Sequence, residues 1–144
     1  MKEIKYMKVA LEEAKLAQKE DEVPVGAIIV YDDKIIARGH NLNMQKQNPL
    51  AHAEMIVIKQ ACAYLKSKDL SACQLYVTLE PCLMCTGAII NAKINKVIFG
   101  AFDLEHGGII SNEKKECKQI NWVPNILQKE CAAILSNYFI KKRV

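Results

Sequence analysis

The fold is decided by the stretch Gln74-Leu75-Tyr76-Val77-Thr78-Leu79-Glu80-Pro81-Cys82-Leu83-Met84-Cys85. Its β-branched and aromatic first half predicts a strand that stops at Pro81. Residues 82–90 then predict a helix, so both cysteines lie at its N-terminus. Free backbone N–H groups and the helix dipole favour thiolate over thiol there, and a metal ion binds the thiolate. The stretch therefore predicts a strand–helix unit with two metal-binding thiols at its junction.

A second motif, His52-Ala53-Glu54, lies upstream at the start of another predicted helix. With Cys82 and Cys85, His52 completes a set of three ligands suited to zinc. Three protein ligands leave one tetrahedral position open, as in catalytic zinc sites, and a water there becomes a nucleophile near neutral pH. We therefore predict one zinc ion per chain, bound by His52, Cys82 and Cys85, with Glu54 as the catalytic proton carrier.

Other interpretations of these cysteines are weaker. A Cys-x-x-Cys pair is also typical of redox sites, but a thioredoxin-like site has no use for the His-x-Glu motif. A structural zinc needs a fourth protein ligand. The candidates His106, Cys73 and Cys117 lie at no regular zinc-finger spacing. Chance placement of the cysteines within a helix core is the remaining alternative, and the pattern favours the catalytic site.

Composition is typical of a globular protein, with 51% hydrophobic and 25% charged residues. We predict a single domain over residues 1–144, long enough to bury a core. No apolar run is long enough for a membrane span, and the N-terminus begins directly in an amphipathic pattern. We expect a cytoplasmic protein without membrane attachment. The cysteines outside the motif are predicted to be small buried hydrophobic residues, and these are Cys62, Cys73, Cys117 and Cys131.

The formal net charge is +4, and its clearest cluster is Lys141-Lys142-Arg143. Such a cluster is most often a solvated helix end that complements the helix dipole. It is also typical of the rim of an RNA-binding surface. The cluster alone does not decide between these two interpretations.

Strands and helices alternate along the chain. Residues 25–31 predict a buried strand, and Asp32-Asp33 turns it into a hairpin with residues 34–38. A strand at 74–79, the cysteine helix and a strand at 96–100 predict a parallel crossover. An apolar face between Ile4 and Ala17 predicts a first helix. These elements predict a mixed sheet flanked by helices on both faces, a three-layer α/β/α domain.

The C-terminal third is less regular. Residues 107–119 are less hydrophobic and predict a loop region. Asn125, with Gln128 three residues later, predicts the N-cap of a last helix. The side chains that this helix is predicted to bury are Leu127, Cys131, Ile134, Leu135 and Tyr138.

The sequence resembles the bacterial tRNA-specific adenosine deaminases of the cytidine-deaminase-like superfamily, whose zinc signature is His-x-Glu with Pro-Cys-x-x-Cys. The resemblance spans nearly the whole chain. It implies the cytidine-deaminase-like fold with a five-stranded sheet, hydrolytic conversion of a wobble adenosine in a tRNA anticodon stem-loop to inosine, and a homodimer. It is carried by Glu22-Val23-Pro24-Val25-Gly26-Ala27, Asn41, Asn48-Pro49-Leu50-Ala51-His52-Ala53-Glu54, Leu75-Tyr76-Val77-Thr78-Leu79-Glu80-Pro81-Cys82, Met84-Cys85, Val97-Ile98-Phe99-Gly100-Ala101 and Glu130-Cys131-Ala132-Ala133.

Residue by residue, the resemblance implies zinc ligation by His52, Cys82 and Cys85 and proton transfer by Glu54. Asn41 matches a position that hydrogen-bonds the flipped base, although a turn-forming Asn is an equal alternative from the sequence alone.

Further substrate contacts are implied with less support from the residue types. Val25 and Leu50 match apolar pocket wall, although either side chain is equally suited to a core. Ala53 is a further predicted substrate contact. Asp103 matches a position near the RNA ribose, and Phe139 lies where the family's last helix approaches the anticodon, together with Lys141-Lys142-Arg143.

The chain departs from the family after Asp103, where Leu104-Glu105-His106-Gly107-Gly108 replaces a Lys-Thr-Gly-like stretch. An acidic Glu105 in place of a cation weakens the expectation of a phosphate contact there.

Two other functions stay open. One is a zinc deaminase of a free base or nucleoside, such as guanine or cytosine. The other is a catalytically silent binding module, which would have no need of Glu54.

Overall fold

The computed structural model describes residues 2–108 and 119–142, and its centre is a five-stranded mixed sheet. The strand order is β2-β1-β3-β4-β5. β1 pairs antiparallel with both β2 and β3, whereas β3, β4 and β5 run parallel. The prediction of a mixed five-stranded sheet is confirmed. The strands are β1 (Gly26–Tyr31), β2 (Lys34–His40), β3 (Cys73–Leu79), β4 (Lys96–Ala101) and β5 (Asn121–Val123).

Helices cover both faces of this sheet, which confirms the three-layer α/β/α architecture. On one face the core includes Val57, Ile89 and Phe99, contributed by α3, α4 and β4. On the other face, Met7 of α1 and Cys131 of α5 belong to a second apolar core. The helices are α1 (Lys2–Lys19), α2 (Asn43–Lys46), α3 (Ala53–Leu65), α4 (Leu83–Asn91) and α5 (Gln128–Lys142).

The pairing pattern brings several chain segments to one edge of the sheet. Since β1 is antiparallel to both of its neighbours, β2, β3 and β4 point the same way. Gly26 at the start of β1 pairs with His40 at the end of β2, and Leu79 at the end of β3 pairs with Ala101 at the end of β4. The residues that follow these three strand ends therefore gather at one edge, as expected for ligand sites in α/β sheets.

The last helix differs from the sequence prediction. It begins at Gln128 rather than just after Asn125. Asn125 and Leu127 have φ values of 69° and 54°, whereas an N-cap residue has an extended backbone. Cys131 is the fully buried residue of the predicted face. The other four members of that face, Leu127, Ile134, Leu135 and Tyr138, are half-buried.

Two further expectations are settled in part. Cys73 and Cys131 are buried as predicted, but Cys62 is only half-buried. Cys117 and most of the predicted 107–119 loop region lie outside the described residues. Among the helices within the described ranges, none combines the length and apolar character of a membrane span.

The contact between α1 and β1 generates a stability prediction. A Cβ atom on Gly26 would overlap the Ala10 carbonyl oxygen and crowd Ala14, because the helix backbone lies directly on the strand. Gly26→Ala should therefore lower the free energy of unfolding by about 1–3 kcal/mol or more, as overpacking does. Gly87 in α4 is the matched control, since a Cβ there meets no atom within 4 Å.

We expect Gly87→Ala to leave stability unchanged or to raise it by up to about 1 kcal/mol, through helix propensity. Urea unfolding of the metal-loaded proteins, followed by circular dichroism, measures both changes. Equal stability of the two variants would contradict the close helix–strand contact.

Candidate metal centre and pocket

Two helix starts bring the predicted ligands together at the sheet edge. His52 is the N-cap of α3 and Cys82 is the N-cap of α4, both with extended backbone, and Cys85 lies in the first turn of α4. Neither N-cap side chain bonds the backbone of its own helix. The imidazole and the thiol are therefore not used as helix caps and are turned to each other instead.

The distances between the ligand atoms fit a tetrahedral zinc ion. His52 Nδ1 lies 3.6 Å from Cys82 Sγ and 3.5 Å from Cys85 Sγ. Zinc bonds of about 2.1 Å to nitrogen and about 2.3 Å to sulfur require an N···S separation of about 3.6 Å in a tetrahedron. The three side chains can therefore hold zinc as they stand.

A fourth protein ligand is not found in the part of the chain that the structure describes. The possible metal-binding group there comprises His52, Cys82 and Cys85 alone. Cys73 is buried at the start of β3, and His106 pairs with Glu105 at 3.6 Å. Cys117, the other candidate, lies outside the described residues. The three-ligand set leaves an open position, as catalytic zinc sites do.

The electrostatics of the centre favour a cation. Hydrogen bonds from Cys85 and His52 lower the pKa of the Cys82 thiol to about 4, so it is a thiolate. The same contacts raise the pKa of the Cys85 thiol and of His52. Cys85 therefore holds the proton that a metal ion displaces when both thiols ligate.

Glu54 lies in the first turn of α3 and is 4% exposed. Burial raises the pKa of its carboxyl to about 7. A carboxyl with this pKa both accepts and donates a proton near neutrality, which is the property of a general acid–base group.

A cavity of about 590 Å³ opens beside these groups, within the size range of small-ligand sites. Of the predicted substrate residues, Val25, Asn41 and Asp103 line it, as do Glu54 and two of the three metal-binding side chains. The lining residues are Val23, Val25, Asn41, Asn43, His52, Glu54, Leu79, Glu80, Cys82, Leu83, Met84, Asp103, Glu105 and His106.

Other predicted substrate residues lie outside this lining. Ala53 is fully buried, and its backbone N–H donates to the Asn41 side chain. Leu50 is 54% exposed. Phe139 is 45% exposed on α5, where it contacts Tyr138 edge to face. Their roles as substrate contacts stay predictions.

The Asn41 side chain holds two backbone segments of the pocket together. Its Oδ1 accepts the Ala53 N–H at 2.9 Å, and its Nδ2 donates to the Val23 carbonyl at 3.1 Å. These two bonds join segments that are distant in the chain, so they are not those of the turn-forming Asn that was the alternative from the sequence. One N–H of the amide still remains for a substrate, because an amide nitrogen carries two donors.

Some pocket residues were not predicted from the sequence. Asn43 lines the cavity, and no hydrogen-bond partner of its buried Oδ1 is found among the described residues, so this oxygen is available to a donor on a substrate. Glu80 lies beside the motif proline, and it lines the cavity with 1% exposure. The position of Glu80 next to Pro81 of the metal-binding motif could have indicated that it lies near the site. No sequence pattern indicated Asn43.

Comparison with known proteins agrees with this centre. A model of the cytidine and deoxycytidylate deaminase zinc-binding region matches residues 1–101. A protein of Aquifex aeolicus named tRNA-specific adenosine deaminase is 46% identical over 143 residues, which cover 96% of this chain and 94% of that one. A protein of the same name from Bacillus subtilis is also 46% identical, over 96% of this chain and 89% of its own. The chain belongs to this deaminase family.

The fold of the family extends over the described chain. A solved structure from work on A-to-I editing by tRNA:A34 deaminases at the wobble position of transfer RNA superimposes with a TM-score of 0.86 at 38% identity. The match covers 91% of this chain and 99% of that chain. The deaminase fold and its zinc-binding region are therefore both present here.

The metal centre predicts a stoichiometry. The protein should bind one zinc ion per chain, and Cys82→Ser or His52→Ala should reduce zinc content at least tenfold, because a three-ligand site loses a third of its bonds. Cys62→Ser is the matched control, since that thiol on α3 is outside the group and should leave zinc content unchanged. Metal analysis after gel filtration measures this. X-ray absorption showing four protein ligands would contradict an open site.

Proposed function

We propose that this protein hydrolyses adenosine to inosine at the wobble position of a tRNA anticodon. The observation that carries the proposal is the meeting of the His52–Cys82–Cys85 cluster with the buried Glu54 at one nucleoside-sized cavity. The substrate follows from near-full-length identity of 46% to relatives named tRNA-specific adenosine deaminase.

In this mechanism, Glu54 carries protons. Bound zinc supplies a Lewis acid that lowers the pKa of a water to near 7. Glu54 takes a proton from the attacking water and delivers it to the purine ring nitrogen next to C6. It then takes the second proton from this oxygen, now bonded to C6, and delivers it to the departing amine, so that the C–N bond breaks, ammonia leaves and the oxygen becomes the inosine carbonyl. A carboxyl pKa of about 7 suits both directions of transfer.

We propose a task for each of the three predicted substrate residues that line the cavity, Val25, Asn41 and Asp103. Val25 provides an apolar surface against the purine, and Asn41 donates its remaining N–H to the base. Asp103 Oδ1 already accepts the backbone N–H groups of Glu105 and His106. The second carboxylate oxygen of Asp103 is left to accept a ribose hydroxyl, which is how proteins distinguish RNA from DNA.

We also propose a homodimer. Leu83 at the start of α4 is 62% exposed although it lines the cavity, and Met84 beside it is half-buried. An apolar patch at the mouth of a pocket is typical of an interaction surface. A second copy that covers this patch would add a wall to the pocket, which an extruded nucleotide requires on several sides. The reduced thiols of the centre fit a cytoplasmic location.

An inosine assay tests the proposed function. The substrate is an anticodon stem-loop with adenine at the wobble position, and the control stem-loop carries guanine there. Free adenosine, guanine and cytosine are tested in parallel, and products are separated by liquid chromatography with mass detection. We expect inosine from the adenine stem-loop alone. Turnover of a free base with no product from the stem-loop would replace the proposal by the free-base alternative.

Replacement of Glu54 tests the proton-transfer step. Glu54→Ala should keep zinc and fold but lose more than the roughly 10²–10⁴-fold typical of one acid–base group, because the same carboxyl serves several transfers. Turnover by mass detection and zinc content are measured on the same preparation. Activity within tenfold of the parent would assign proton transfer to another group.

The basic C-terminus predicts the salt dependence of RNA binding. Lys142 Nζ lies 2.7 Å from Asp21, whereas no ion pair of Lys141 is found among the described residues. Lys141→Ala should therefore weaken stem-loop binding and lower the slope of log K against log salt by about one. Lys142→Ala is the matched control and should have the smaller effect, because Asp21 already compensates its charge.

Fluorescence anisotropy of a labelled stem-loop over a series of salt concentrations measures both variants. Truncation after Ile140 removes both lysines together with Arg143, which lies outside the described residues. It should weaken binding without loss of zinc. Unchanged binding at every salt concentration would show that the cluster is only a solvated helix end.

A further inference from the structure

We infer that Glu80 is a positioning residue that holds one wall of the substrate pocket in place. This inference rests on the proposed function for the identity of the substrate. Glu80 follows β3 directly, and its backbone N–H donates to the Ala101 carbonyl at the end of β4 at 2.8 Å. The side chain is 1% exposed and lines the cavity. It is thus fixed to the sheet at its backbone and buried at its carboxylate.

The Glu80 carboxylate supports both ends of one turn, residues 103–107, which we call the rim turn. Its Oε1 accepts the Asp103 N–H at 3.1 Å. At the other end the carboxylate packs against Gly107, where a Cβ atom would overlap its oxygens. Gly107 N–H donates to the Asp103 carbonyl at 2.9 Å, which closes the turn above the carboxylate.

The rim turn is also attached to the helix that carries the cysteines. Gly107 forms an isolated antiparallel bridge with Cys82, and Gly108 N–H donates to the Pro81 carbonyl at 2.8 Å. Glu80 therefore lies between the strand end, the metal-binding helix and the turn. Three residues of the turn, Asp103, Glu105 and His106, line the cavity.

A second part of the cavity lining, at the start of α2, has a similar support. Glu22 is also 1% exposed, and its carboxylate accepts the N–H groups of Met44 at 3.0 Å and Gln45 at 2.8 Å. It thereby holds α2, whose first residue, Asn43, lines the cavity. The start of α2 and the rim turn are thus each held by a buried carboxylate that accepts at least one backbone N–H.

Loss of the Glu80 carboxylate should act on substrate binding more than on chemistry. A partly buried N–H that loses its acceptor is unfavourable, so the Asp103 end of the rim turn should move or fluctuate when the Glu80 carboxylate is removed. The zinc ligands are placed by the helix starts of α3 and α4, whereas the Asp103 end of the rim turn is held by the Glu80 carboxylate. A change that weakens ground-state and transition-state binding equally raises KM and leaves kcat unchanged.

The experiment compares Glu80→Ala, Glu80→Asp and Glu80→Gln with the parent on the adenine stem-loop. Glu80→Ala should raise KM about tenfold or more, with kcat within about threefold and one zinc per chain. Glu80→Asp keeps the negative charge, but its shorter side chain moves the acceptor oxygen away from the Asp103 N–H. It should therefore raise KM as well. Glu80→Gln keeps an acceptor oxygen at the same reach and should recover most of the parent KM.

Stem-loop binding measured in a Glu54→Ala background supplies a readout without turnover, and its Kd should follow the same order. Should Glu80→Ala fail to fold, Glu80→Asp decides the question. A parent-like KM and Kd for Glu80→Asp, or a fall in kcat or zinc content with unchanged KM, would overturn the inference.

The activity of the parent enzyme distinguishes a failure of this inference from a failure of the proposed function. A parent that makes no inosine from any stem-loop contradicts the proposed function, and the Glu80 variants are then compared on the free base that it does deaminate. A parent that is active, with variants that match it, contradicts the inference alone.

Discussion

The convergence of one imidazole nitrogen and two thiolate sulfurs is the constraint on which the rest of the architecture depends. These atoms must lie about 3.6 Å apart, although His52 and the two cysteines are carried by different helices. The distance between the ligand atoms is therefore set by the positions at which α3 and α4 begin. Both helices start at the same sheet edge, because β2 and β3 run in the same direction and each helix starts near the end of one of them. The sheet topology therefore brings the two helix N-termini together.

Helix starts also give the centre its electrostatic character. The positive end of a helix dipole stabilises anions, so a thiolate at Cys82 and a carboxylate at Glu54 are each favoured by their own helix. Burial acts in the other direction on Glu54, and the balance leaves the pKa of its carboxyl at about 7. An exposed carboxyl would stay ionised and make a poor acid. The 4% exposure of Glu54 is therefore part of its chemistry.

Sequence and structure agree best where the determinants are local. The strand, Pro81 and the cysteine helix follow from residues adjacent in the chain, and the metal set follows from ligand chemistry. The start of α5 was predicted wrongly, because Asn125 has the residue type of an N-cap but a left-handed backbone. The two backbone contacts of Asn41, with Val23 and Ala53, join segments far apart in the chain. No periodicity or motif spacing encodes such contacts, since they depend on how the sheet edge is assembled.

The contrast between regular elements and long-range contacts also explains where substrate specificity resides. The regular elements fix the metal and Glu54, which any member of a zinc deaminase superfamily needs, whatever its substrate. The walls that meet the rest of a nucleotide include the rim turn and the start of α2, where backbone N–H groups lie outside strand ladders and intrahelical bonds. Buried acceptors supply that satisfaction instead: Glu22 for α2 and Glu80 for the rim turn. Loops supported in this way can change their exposed side chains, as at Glu105 and His106, while the backbone that carries them keeps its place over the metal centre.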